Sequence, residues 1–70
     1  MLPPAAERRR LRTALGIQQR ELAEEVGVSV QTVWAWEQGR SEPTGSNRER
    51  YVSLLTQMKA TLADIEAGVS

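Results

Sequence analysis

The chain has 70 residues, with nine Lys or Arg against nine Asp or Glu, no His and no Cys. One domain is the most such a length allows, and it buries only about 60% of its unfolded surface, so the stability margin is thin. Without Cys there are no disulfides or thiolate metal sites, and without His the commonest general base is gone, so neither enzyme activity, a metal site nor a cofactor is expected.

Apolar residues make up 40% and charged residues 26%, ordinary values for a globular domain. No apolar run has the length of a membrane span or a signal-peptide core, and the expectation is a cytoplasmic protein with no membrane contact. The zero net charge hides an asymmetry. Residues 1–20 carry five Arg and one Glu, whereas residues 21–37 carry four Glu and no base. Folding of such a chain can expose one basic face, and solvated charges on ordinary helices account for the pattern equally well.

In chain order, Pro3-Pro4 opens a first helix, whose apolar stripe is Leu11, Ala14 and Leu15, with Gly16 as its left-handed stop. A second helix runs from about Gln18 to Val26 and closes at Gly27. Ser29 caps a third, which carries Val33 and Trp36 inward and stops at Gly39. After the Arg40–Gly45 loop, Ser46 with Glu49 reads as a capping box for a last helix through about Ala67, about 30 Å long. Everything reads as helix: an all-α, four- to five-helix bundle with short connections.

The segment Gln19–Gln38 is the informative one. Only Gly27-Val28-Ser29 separates helices two and three, a turn too tight for antiparallel packing, so the helices must cross steeply. That crossing requires a small residue at the contact, met by Ala23, and a residue tolerant of positive φ after helix two, met by Gly27. It also requires an apolar wedge, met by Leu22, Val26, Val28, Val33 and Trp36.

Residues Leu11 to Leu55 resemble the helix-turn-helix domain of the phage-repressor and Cro type, the XRE family. The matching residues are Leu11-Arg12, Gly16, Gln19-Arg20-Glu21-Leu22-Ala23, Gly27-Val28-Ser29, Thr32-Val33, Trp36-Glu37, Gly39-Arg40 and Pro43. The resemblance implies a lambda-repressor-like bundle that docks helix three, about residues 29–38, in the major groove of double-stranded DNA. By the same resemblance Gln19 holds a phosphate, and Gln31 and Ala35 read base edges. Val30, Thr32 and Gln38 make flanking contacts; Arg40, Asn47 and Arg48 clamp the backbone. Arg12 and Glu37 match a structural ion pair. Ser29 and Trp34 join the same surface. Only Gln31 offers the paired donor and acceptor suited to adenine, while Val30 and Ala35 offer little beyond contact with a thymine methyl. Direct readout is expected to be sparse, with specificity leaning on DNA shape.

Three features remain open on sequence alone. Trp34 has no place in the wedge and lies against DNA sugars, fills a partner surface, or covers its own helix. Arg8, Arg9 and Arg10 hold phosphates or a negative partner, or stand as a solvated helix start. Tyr51, Leu55, Met58, Leu62, Ile65 and Val69 fall at heptad spacings. The first three suit the domain's own core, which leaves Leu62, Ile65 and Val69 as a dimerisation seam or as a helix folded back on the domain. The expected organisation is a DNA-binding domain over residues 1–58 and a helical extension over 59–70. The expected function is a homodimeric, sequence-specific transcription regulator. The alternative is an antitoxin or adaptor that binds a protein through Trp34 or the C-terminal helix.

Overall fold

A computed structural model describes residues 1–68; Val69 of the expected seam lies outside the described residues. The chain forms four helices: α1 (Ala5–Ala14), α2 (Gln19–Val26), α3 (Val30–Gln38) and α4 (Gly45–Gly68), with no strand among the described residues. The all-α bundle read from the sequence is borne out.

Helix ends explain the layout. After α2, Gly27 turns left-handed at φ +88°, and the N–H groups of Gly27 and Val28 both donate to the Ala23 carbonyl, at 2.8 and 3.0 Å. The chain re-enters helix at once, because the Ser29 hydroxyl accepts from the Thr32 N–H at 3.2 Å. At the end of α3, Gly39 sits at φ +73°. The N–H of Gly39 reaches the Trp36 carbonyl at 3.3 Å and that of Arg40 the Ala35 carbonyl at 3.0 Å. This is a Schellman stop, and it folds residue 40 back along the helix it has just left.

Leu11, Leu22, Ala23, Val26, Val33, Trp36, Tyr51, Leu55 and Met58 make one core, with the Trp36 and Tyr51 rings 4.8 Å apart. Each buried Leu or Val contributes on the order of 1.5–3 kcal/mol, so these side chains are most of what holds so small a domain together.

Two local expectations are corrected. Ala14 is exposed, and the inward place on α1 one turn before Leu11 belongs instead to Arg8, which is buried. No Ser46–Glu49 box forms. Gly45, at φ +57°, starts α4 early, the Thr44 carbonyl accepts from the Arg48 N–H at 3.2 Å, and Ser46 already lies inside the first turn. Within the seam, Leu62 is half-buried against the domain's own core, while Ile65 is 52% exposed. Helix α4 runs unbroken through residues 58 and 59.

Candidate nucleic-acid interface

Helix α3 is two-faced. Val33, Trp36 and Glu37 are buried, Thr32 and Ala35 half-buried, and Val30, Gln31, Trp34 and Gln38 exposed. Val30, Trp34 and Gln38 follow at intervals of four and so line one outer ridge, with Gln31 and Ala35 beside it. Glu37 is the only acid on the helix, and it points inward. The outer face therefore carries no negative charge.

The inward Glu37 anchors that face to the rest of the domain. Its carboxylate accepts from Arg12 Nε at 2.6 Å, Arg12 Nη2 at 2.9 Å and Gln19 Nε2 at 3.1 Å. Arg12 Nη1 also donates to the Ile17 carbonyl at 2.9 Å. The ends of α1 and α3 and the start of α2 thus meet on one fully buried carboxylate. The structure brings the expected Arg12–Glu37 pair together. It also gives Gln19 a structural duty, leaving its amide oxygen and second N–H for other partners.

The hydroxyls of Ser29 and Thr32 bond each other at 2.8 Å at the head of α3. The side chains of Gln31, Gln38, Asn47 and Arg48 have no hydrogen-bond or ion-pair partner among the described residues; Asn47 is half-buried and Arg48 exposed. Arg40 is exposed, and its Cζ lies 5.4 Å from the centre of the Trp34 ring. This contact was not foreseen, although Gly39 at the turn is the signal that predicts it.

The basic run at the start of α1 is taken apart by the fold. Arg8 is buried, donates from Nη2 to Glu42 at 3.1 Å and lies 5.8 Å from the Tyr51 ring centre. Arg10 pairs with Glu7 at 2.7 Å; the shared hydrogen bonds lower the Glu7 pKa and raise that of Arg10. Only the Arg9 guanidinium, of the three, has no carboxylate partner among the described residues. The acids Glu21, Glu24 and Glu25 are exposed on α2 and border a groove floored by Ile17, Leu22, Leu54 and Met58. No group of acidic residues that could hold a metal occurs among the described residues, and no helix among them is long and apolar enough to cross a membrane.

Two packed helices joined by a three-residue turn, the second anchored from behind and free of acids on its outer face, define a helix-turn-helix protein. A family model described as helix-turn-helix matches residues 9–56. The chain belongs to this family, in its XRE form, and is a DNA-binding domain of the kind that regulates transcription. No curated protein and no solved structure matches the chain.

Proposed function

We propose that the domain is a sequence-specific, repressor-type regulator that sets α3 in the major groove of double-stranded DNA and binds as a homodimer. The observation that carries this reading is the outer face of α3: four exposed side chains, none negative, on a helix fixed from behind by the buried Glu37 network. Gln31, with its amide unspent, is suited to the N6 and N7 edge of adenine, and Val30 and Ala35 to thymine methyls. Arg40, Asn47, Arg48 and the remaining amide groups of Gln19 are suited to phosphates, with Ser29, Thr32 and Gln38 flanking. Phosphate contacts supply a salt-sensitive affinity and position the helix; base edges supply the register.

Two-fold binders set their recognition helices about 34 Å apart, so an element must hold two copies together. The 59–70 extension, with Leu62, Ile65 and Val69, is the segment we assign to that task. A second reading, an antitoxin or adaptor, is favoured by the exposed apolar pair Val30 and Trp34, which suits a protein partner. Selection of bound sequences from a random duplex pool, repeated at several salt concentrations, separates the two. The DNA reading expects enrichment of inverted repeats and a steep loss of affinity with salt. A protein-binding module expects neither.

A further inference from the structure

We infer that Trp34 is a positioning residue for Arg40 and that the two side chains act as one phosphate-binding unit, an inference that rests on the DNA-binding reading above. The backbone sets the pair up. Gly39 at φ +73° reverses the chain, and the bond from the Arg40 N–H to the Ala35 carbonyl, at 3.0 Å, holds residue 40 beside the last turns of α3. From there the guanidinium reaches the indole, 5.4 Å from Cζ to ring centre, inside the range of about 6 Å in which a cation is attracted to an aromatic face.

The indole has no competing duty. Val33 and Trp36 fill the wedge between the helices, and Trp34 stays 43% exposed. Arg40 has no competing partner either. Arg8, Arg10 and Arg12 are each tied to a carboxylate, Glu42, Glu7 and Glu37, whereas the Arg40 side chain has no hydrogen bond or ion pair among the described residues. Contact with an aromatic ring spends no hydrogen-bond acceptor on the guanidinium, so its N–H donors remain available to an anion. Two parallel N–H groups match two phosphate oxygens. Holding a long side chain in place beforehand removes part of the ordering cost on binding. Trp34 thereby serves DNA binding without needing to touch DNA.

The test is a double-mutant cycle on a random-sequence duplex across a salt series, using Trp34→Ala, Arg40→Ala, the pair, and Trp34→Phe. Arg40→Ala should lower affinity and reduce the slope of log affinity against log salt by about 0.9, the loss of one phosphate contact. Trp34→Ala should lower affinity in the parent, and its cost should shrink by about 2- to 5-fold once Arg40 is gone, as expected for a cation–aromatic contact. Trp34→Phe should retain most of the affinity. An equal cost of Trp34→Ala in both backgrounds, or an unchanged salt slope in Arg40→Ala, overturns the inference while leaving the DNA reading in place. No binding of duplex by the unmodified chain overturns both.

Discussion

Arg8 and Arg12 stand about one turn apart on α1, and each holds a carboxylate, in opposite surroundings. Glu37, the partner of Arg12, has a fully buried side chain, whereas Glu42, the partner of Arg8, is 57% exposed. Arg12→Met strands a carboxylate out of water, and urea denaturation should show a loss of about 3–5 kcal/mol. Arg8→Met releases Glu42 to solvent and removes Nε and Nη1, which are buried without partners; its effect should stay within about 1 kcal/mol of zero. Equal losses would show that Arg8 contributes through packing as much as Arg12 does through charge. Tyr51, the single tyrosine, is pushed up to about 12 by burial, with Arg8 pulling in the other direction. Its neutral form is favoured by folding, so the contribution is complete below the unfolded value of about 10 and fades as pH rises through about 12. Absorbance at 295 nm should place the titration above that of the denatured chain. Stability should fall between those two pH values, and Tyr51→Phe should flatten the fall at no cost at neutral pH, because the hydroxyl has no partner. On the interface, Gln31→Ala should lose about 1–3 kcal/mol on the selected site and almost nothing on random duplex; equal losses would make Gln31 a phosphate contact.

At the level of the helix, the ends carry more information than the middles. The stop at Gly27 and the cap at Ser29 together set the α2–α3 crossing, and both were legible because only certain residue types tolerate those positions. Gly27→Ala introduces a Cβ at φ +88°, where the nearest neighbour is Arg50 Nη1 at 3.7 Å. The space is adequate and the backbone conformation is not, so the cost should be about 1–2 kcal/mol from conformation alone, read as a lower melting temperature with DNA-site preference retained. A shifted site preference would mean that the helices had recrossed. The entry to α4 shows where such reading stops. Ser46 and Glu49 have the spacing of a capping box, yet Gly45 at φ +57° admits the chain to the helix earlier, so the Glu49 N–H that Ser46 would cap already lies past the first turn, where the helix's own carbonyls accept.

For the whole molecule, α4 sets the long axis: its 24 residues span about 36 Å, close to the longest dimension of 37 Å. The helix thus runs on past the core that it helps to close at Tyr51, Leu55 and Met58. Leu62 lies at the edge of that core and Ile65 beyond it. Because Leu62 serves both its own domain and the proposed seam, Ile65→Glu is the cleaner probe of dimerisation. It should leave the helical content and melting of the domain unchanged and lower the sedimenting mass at tens of micromolar. An isoleucine buried from each chain contributes on the order of 1.5–3 kcal/mol, enough to shift a weak self-association by tenfold or more. A parent chain that sediments as a monomer at high micromolar concentration without DNA would remove the tail from any role in pairing.

Local chemistry by itself determined the helix-turn-helix. Gly27, Ser29 and Gly39 act within a few residues of their own positions, and the spacing of Ala23, Leu22, Val26, Val33 and Trp36 specifies which faces meet. The outer face of α3 followed from the inner one, since a helix that buries Val33 and Trp36 must expose Val30, Gln31, Trp34 and Gln38. Only the tertiary structure decided which charges far apart in the chain meet. Arg8, Arg9 and Arg10 look alike in the sequence, and the fold buries one against Tyr51, pairs one with Glu7 and leaves one without a carboxylate among the described residues. Partners 34 residues apart, as Arg8 and Glu42 are, are joined by how α1 and the α3–α4 loop pack, and long charged side chains reach whichever neighbour the packing provides. The same holds for Leu62 at the core's edge, whose neighbours are set by where the backbone returns in space.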